Sequence, residues 1–370
     1  MKQLLIYLSA LVILLLTNSC LQQIDLSVDR AFQDNVVIQG SLVIGSPSLA
    51  TVRVSKLFDF TSNGRGAINV RFVRLYDSDG NFVELQPGDE VGDYTLEIAA
   101  DNPDFPVETG KSYHIELATF DGRAYETIPD RLYPVPEASR LDAREITVEV
   151  QNSVGEIIRE PRIEFSVTTS TDNGIEDPAF IRWSTERTFR TTDEGAEASW
   201  NRPAVDPKTC YVTESTNVNN LPSARSLDYA GDITEFPILQ EPIDARFAEG
   251  YYISVFQQSL SPGAYEYWLR IADLINREGT IFESPVGKVN SNVVNTNDPN
   301  DEPFGYFYVT QQDTMRMFIS PEYVGNPPLR CPVVFENPPP GFDYCETVPL
   351  CCDCFSARRS QLERPDFWLE

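Results

Sequence analysis

Six cysteines concentrated towards the C-terminus are the residues of this sequence whose spacing most clearly suggests chemistry. They are Cys210, Cys331, Cys345, Cys351, Cys352 and Cys354. Cysteines spaced in this way serve as metal ligands, as redox thiols or as disulfides. The compartment of the protein decides between these uses, because disulfides are rare in the reducing cytosol.

The N-terminus has the features of a bacterial lipoprotein signal. Lys2 precedes an apolar run over residues 4–16, which has the length of a secretory signal and is too short to span a bilayer. The sequence TNSC follows and ends at Cys20, and it resembles the lipobox at which lipoproteins are cleaved and acylated. We predict a signal peptide over residues 1–19 and a lipidated tether over residues 20–34. The alternative is an ordinary cleaved signal with an unmodified cysteine.

An exported chain favours disulfides for the six remaining cysteines. An even number of cysteines in an oxidising compartment allows three bridges, whose pairing the sequence leaves open. Cys351 and Cys354 form a C-x-x-C, which raises the alternatives of a zinc site or a thioredoxin-like redox pair. A second C-x-x-C, a nearby histidine and a βαβ pattern are missing, however. We therefore predict a Cys/Pro-rich tail over residues 326–370 that is stapled by disulfides.

The composition excludes one broad class of partner. The chain carries a formal net charge of −27 over 370 residues. Such a surface repels the phosphates of nucleic acids, so we expect no nucleic-acid binding. With 41% apolar and 23% charged residues the chain has a globular composition, and its length suggests two domains.

Short strands with period-two alternation predict a mainly β protein that begins with an Ig-like β-sandwich over residues 35–133. The sequence DSDG that ends at Gly80 and the pair Asp121-Gly122 are typical of hairpin turns. DSDG also resembles a fragment of a calcium-binding loop. The other acidic ligands of such a loop are missing, so we favour a turn.

A second β-rich domain is predicted over residues 140–325, after a proline-containing break at residues 131–141. It contains one amphipathic helix near residues 262–278, which Ser261 can cap and which Gly279 would end. Its apolar stripe consists of Ala264, Tyr267, Trp268, Ile271, Leu274 and Ile275. We interpret the stripe as a face that docks onto a sheet, with a sugar-stacking platform as the alternative.

Candidate catalytic residues are scarce. His114 is the only histidine, and it falls on one face of a predicted strand, where a structural role is the favoured interpretation. A G-x-S-x-G nucleophile motif is also missing. Carboxylate pairs remain as an alternative, because 56 acidic residues offer many combinations that the sequence does not rank. We predict no catalytic residue, no cofactor and no metal.

Several segments of the second half resemble a family of Bacteroidota lipoproteins known as domain of unknown function 4249. They are CYVTEST (210–216), YYISVFQQSLSPGAYEYWLRIADLINREGTIFESP (251–285), NVVNTNDPNDEPFGYFYVT (292–310), MRMFI (315–319), CCDCF (351–355) and RPDFW (364–368). The resemblance implies a β-rich outer-membrane lipoprotein without established catalytic residues. It assigns lipidation to Cys20 and implies a structural role for the tail cysteines Cys345, Cys351, Cys352 and Cys354.

Members of this family often occur beside TonB-dependent transporters, so the resemblance implies a β-barrel partner in the outer membrane. We expect a non-enzymatic accessory or substrate-capture lipoprotein, anchored in the cell-surface leaflet or, alternatively, in the periplasmic one. Asp25, soon after the lipidated cysteine, resembles a minimal surface-export signal. A surface module that binds glycans or peptides is the alternative function, followed by a carboxylate-pair hydrolase.

Overall fold

The computed structural model describes most of the chain. The described residues are 35–56, 66–152, 154–193, 206–216, 221–276, 289–325, 327, 331, 345 and 349–368. The predicted signal peptide, Cys20 and the tether lie outside these residues. Within them, no helix combines the length and apolar character that crossing a membrane requires.

Strands dominate the described part, so the fold is mainly β, as predicted. Their bounds are β1 Val36–Ile44, β2 Ser48–Lys56, β3 Val70–Asp77, β4 Phe82–Glu84, β5 Gln86–Pro87, β6 Asp93–Ile98, β7 Ser112–Thr119, β8 Ala124–Thr127, β9 Asp130–Arg131, β10 Ala138–Gln151, β11 Ile157–Thr169, β12 Phe180–Thr192, β13 Thr209–Ser215, β14 Ser223–Arg225, β15 Ile233–Pro242, β16 Tyr251–Ser259, β17 Val293–Asn295, β18 Phe307–Ile319 and β19 Ser360–Gln361. The α-helices are α1 Pro262–Ile275 and the short α2 Pro349–Cys352. Single 3₁₀ turns cover Ser226–Asp228, Ala245–Phe247 and Cys354–Ser356.

The strands form three sheets. The largest has the order β19-β13-β12-β16-β18-β1-β2-β6-β5, with β14 paired to β12. A six-stranded sheet has the order β17-β8-β7-β3-β4, with β9 paired to β7, and a three-stranded sheet has the order β10-β11-β15. Each smaller sheet covers one half of the largest sheet, because strands with one apolar face must bury it against another layer.

Strand β18 joins the two halves of the largest sheet. Its first part, up to Gln311, pairs in parallel with β1. From Gln312 onward it pairs in antiparallel with β16. The strand therefore contributes to both hydrophobic cores: Phe307 is buried in the first, and Ile319 is buried in the second.

Alternation along the strands determines which side chains enter each core. In β1, Ile38 and Leu42 are fully buried in the first core, whereas Gln39 and Ser41 lie on the opposite face. The second core is built in the same way between the largest and the three-stranded sheet, around large side chains such as Trp183. The outer face of β1 and its neighbours is thus free to line a surface cleft.

The predicted turns and helix start are confirmed. The segment after Asp77 turns between β3 and β4, and the Asp77 carboxylate accepts hydrogen bonds from the backbone N–H groups of Asp79 and Asn81 at 2.9 Å. Asp121-Gly122 turns between β7 and β8, and Gly122 has a φ of +94°. Ser261 caps α1 by accepting a hydrogen bond from the Ala264 N–H at 3.1 Å. The helix ends at Ile275, earlier than predicted, and Gly279 lies outside the described residues.

Candidate functional site: an aromatic cleft beside helix α1

All six cysteines for which we predicted disulfides form them. Cys210 pairs with Cys354, Cys331 with Cys351 and Cys345 with Cys352, with Cα–Cα distances of 6.0, 5.5 and 5.6 Å. The two cysteines of the C-x-x-C therefore bind different partners, and neither is a free thiol. The first bridge ties the tail to β13, whose edge also pairs with β19. The cysteines thus have a structural role.

A cleft of about 680 Å³ lies where the outer face of the largest sheet meets α1. This volume is within the range of small-molecule binding sites. The cleft is lined by Gln39, Gly40, Ser41, Thr51, Val52, Arg53, Gly88, Asp89, Glu90, Asp93, Tyr94, Thr95, Tyr267, Trp268, Tyr306 and Tyr308. We call this set the aromatic cleft. Its floor comes from β1, β2 and β6, and its wall comes from α1, the start of β18 and Tyr306 immediately before β18.

Four aromatic rings form the wall. The Tyr267 ring centroid lies 4.9 Å from that of Tyr306 and 5.4 Å from that of Trp268. Trp268 in turn meets Tyr308 edge to face at 5.9 Å. Behind them, the Arg182 guanidinium carbon lies 3.7 Å from the centroid of the Trp268 ring. Such a cation–π contact is worth about 1–2 kcal/mol, so it holds the indole in place.

Two buried donors at the back of the wall lack a partner. The indole N–H of Trp268 and the Nε–H of Arg182 have no hydrogen-bond acceptor within the described part of the chain. The same guanidinium does donate from Nη1 to the Tyr308 hydroxyl at 3.3 Å. Unpaired buried donors cost free energy and are uncommon.

Two glycines allow the wall to form. A Cβ at Gly263 would lie 2.6 Å from the Tyr306 hydroxyl, so a larger residue there would displace that ring from the first turn of α1. A Cβ at Gly305 would lie 2.0 Å from the Ile38 carbonyl oxygen, and the residue has a φ of +101°. Glycine is thus required at position 305, where a side chain would also strain the backbone.

A buried polar network holds α1 against β18. The hydroxyl of Ser261 donates to the Asp130 carboxylate, whose other oxygen accepts from the Val309 N–H at 2.9 Å. Ser261 also hydrogen-bonds to Tyr306. Burial raises the pKa of Asp130 to about 6, although both hydrogen bonds oppose the shift. Burial likewise raises the pKa of Tyr306, and the nearby charge of Asp130 adds to this effect.

The opposite side of the cleft is polar. Arg53 on β2 forms ion pairs with Asp93 at 3.0 Å and with Glu90 at 3.6 Å. Gln39 hydrogen-bonds to Tyr267 across the floor, while burial raises the pKa of that tyrosine. The cleft therefore combines flat apolar surfaces with oriented donors and acceptors. Such a combination is suited to binding a ligand that has an apolar face and polar groups at its edge.

The predicted apolar stripe of α1 is only partly a docking face. Ala264 and Tyr267 are buried, as docking requires, and Trp268 is half-buried beside the cleft. Leu274 and Ile275, by contrast, are exposed. The docking face therefore covers the first half of the predicted stripe and not its end at Leu274 and Ile275. The sequence could not show that Tyr306 and Tyr308 join the Trp-Tyr pair of α1, because that contact depends on the long-range pairing of β18 with β1.

His114 lies on the outer face of β7, as predicted for a strand histidine. It is not isolated, however. Its imidazole lies beside Glu116 and Glu126. Within the described residues, these three side chains are close enough together to hold a metal ion. No local sequence pattern indicates this set, because Glu126 comes from the neighbouring strand β8.

The mainly β fold, the long helix and the disulfide-bonded tail define a β-rich protein with an aromatic cleft. Residues 22–316 match the family model described as "Domain of unknown function (DUF4249)", and the chain belongs to this family. No curated protein matches the chain. The match agrees with the family that the sequence segments resemble.

Proposed function

We propose that the protein is a non-enzymatic outer-membrane lipoprotein of Bacteroidota. In this proposal Cys20 carries the lipid anchor, and the aromatic cleft captures a ligand for a β-barrel transporter of the TonB-dependent type. The N-terminal sequence supports the anchor, and the family resemblance supports the transporter partner. The cell-surface leaflet is the proposed location.

The observation that carries the capture function is the cleft itself. Trp268 and Tyr306 present aromatic rings on one side, where both pack against the buried Tyr267, and Arg53 and Asp93 present paired charges on the other. Carbohydrates have C–H faces that pack on such rings and hydroxyl groups that hydrogen-bond to such charges. We therefore propose oligosaccharides as the ligand class.

Copurification tests the partner. The native lipidated chain is extracted from membranes in mild detergent, captured and analysed by mass spectrometry, with a Trp268→Ala chain as a matched sample. We expect an outer-membrane barrel to accompany both chains in stoichiometric amounts, because the cleft binds ligand rather than the barrel. Recovery of the lipoprotein alone from gentle extracts would refute the transporter partnership.

A surface binding or adhesion module is a second candidate, since the same cleft supports it. The two candidate functions differ in whether the protein associates with an outer-membrane barrel, because an adhesin would bind oligosaccharide without such a partner. An oligosaccharide-binding chain that elutes as a monomer from native membranes would favour this second function.

A further inference from the structure

Three side chains converge on the outer face of the six-stranded sheet. His114 and Glu116 are two residues apart on β7, so both point to the same face. Glu126 on β8 is the register partner of Glu116. The His114 Nε2 lies 3.7 Å from a carboxylate oxygen of Glu126, and one ligand atom from each of the three residues lies within 4.8 Å of the others.

We propose that His114, Glu116 and Glu126 bind a divalent transition-metal ion such as Zn²⁺. Imidazole nitrogen and carboxylate oxygen are both ligand types that Zn²⁺ takes, and catalytic zinc sites have three protein ligands. Bonds of about 2.1 Å in tetrahedral geometry place ligand atoms about 3.4 Å apart. The distance from His114 to Glu126 is close to this value, so small side-chain rotations close the site. Ca²⁺ fits less well, because it takes six to eight oxygen ligands.

A neighbouring tyrosine orients two of the three ligands. Tyr76 on β3 pairs with His114 in the register, and its ring stacks on the imidazole at 5.1 Å with an interplanar angle of 15°. Tyr76 also hydrogen-bonds to Glu116. Groups that hold metal ligands in their binding orientation raise the affinity of a site.

The charges on this face favour a bound cation. Glu116 and Glu126 stand directly opposite each other on paired strands, where like charges destabilise a sheet. Arg74, the register partner of Glu116 on β3, makes its ion pair with Glu84 at 3.2 Å. A divalent ion between the two carboxylates would offset their repulsion.

The metal site is independent of the proposed capture function. It lies on the opposite layer of the sandwich from the aromatic cleft, and the two share no residue. Three protein ligands leave a fourth coordination position, which water or a ligand group from a binding partner would fill.

Zinc titration of the full mature chain tests this proposal directly. The chain is prepared with a histidine-free tag, stripped with a chelator and titrated with Zn²⁺ by calorimetry. His114 is the only histidine, so ¹⁵N-histidine labelling gives a single imidazole spectrum that reports its coordination. We expect one Zn²⁺ per chain and a large shift of the His114 Nε2 resonance at the same equivalence point.

Substitutions test two of the three proposed ligands. We expect His114→Gln and Glu126→Gln each to weaken Zn²⁺ binding at least tenfold. The control Glu149→Gln, on the separate three-stranded sheet, should bind as the wild type does. Imidazole resonances that do not move with added Zn²⁺ would overturn the proposal without depending on how a variant folds. Equal binding by all four chains would overturn it as well.

Discussion

Two tryptophans show how differently the same side chain is used in two regions of the molecule. Trp368, near the C-terminus, is 2% exposed and packs against Tyr211 and Tyr252, with ring centroids 5.0 Å apart in each case. Trp268 is half-buried beside an open cleft, and its indole N–H has no acceptor in the described part of the chain. The first residue completes a packed cluster. The second contributes an aromatic surface that a ligand can cover.

The tail region depends on covalent bridges as well as packing, so the largest expected effect is there. Replacing Cys210 and Cys354 together by serine removes a bridge that spans 144 positions. Loop-closure entropy predicts a loss of about 5 kcal/mol in the free energy of unfolding. Urea unfolding of the non-reduced protein measures this loss.

The bridge between Cys345 and Cys352 is the matched control, because it spans only seven positions. The same argument predicts a loss of about 2 kcal/mol for its double serine variant. Equal losses for the two double variants would contradict the view that the long bridge ties the tail to the body.

Trp368→Ala should be the next largest change. Removing a fully packed tryptophan leaves a cavity among Tyr211, Tyr252 and Phe318 and costs about 3–4 kcal/mol. Chemical denaturation measures the loss. The affinity of the cleft for ligand should remain within twofold of the wild type. A strong loss of binding would contradict separate roles for the Trp368 cluster and the cleft.

The tail also shows how far the sequence could predict the fold. The even number of cysteines, in a chain that we predicted to be exported, predicted disulfides, and these are present. The pairing was not predictable, because it depends on β13 lying beside the turn that contains Cys354. Local patterns likewise predicted the turns at Gly80 and Gly122 and the capped start of α1, since each depends on adjacent residues.

Long-range pairing explains what the sequence did not predict. Strand β18 changes partner at Gln311 and enters both cores, which no local pattern indicates. The cleft depends on that pairing, because it brings Tyr306 to Tyr267. The His114 set depends in the same way on the register between β7 and β8. The components of both sites were visible in the sequence, whereas their proximity was not.

Asp130 supports the cleft region, and its effect should depend on pH. In the folded chain its pKa is raised from 3.8 to about 6. Between pH 4 and 6 the folded state therefore binds more protons than the unfolded state, and stability from this group falls as pH rises through 6. The pKa shift corresponds to a change of up to about 3 kcal/mol in the free energy of unfolding.

Comparison with Asp130→Asn isolates this contribution. Urea unfolding at pH 4 and at pH 8 measures the free energy of unfolding of both chains. Relative to the variant, the wild type should be more stable at pH 4 than at pH 8 by up to about 3 kcal/mol. A difference between the two chains that does not change with pH would contradict the raised pKa.

Trp268→Ala should have the smallest effect on stability. The residue is half-buried, and we expect a loss of about 1–2 kcal/mol, mainly from the cation–π contact with Arg182. Thermal and urea unfolding of Trp268→Ala and Trp368→Ala measured side by side compare the two losses of stability. A loss as large as that of Trp368→Ala would mean that the cleft tryptophan is a core residue.

Binding to an oligosaccharide array tests the central claim most directly. The wild type, Trp268→Ala and Phe120→Ala are compared on the same array, since Phe120 is 73% exposed on the turn between β7 and β8 and lies outside the cleft. We predict that the wild type and Phe120→Ala bind the same oligosaccharides and that Trp268→Ala binds them about tenfold more weakly. An array that stays blank for the wild type, or equal binding by all three chains, would contradict ligand capture by the aromatic cleft.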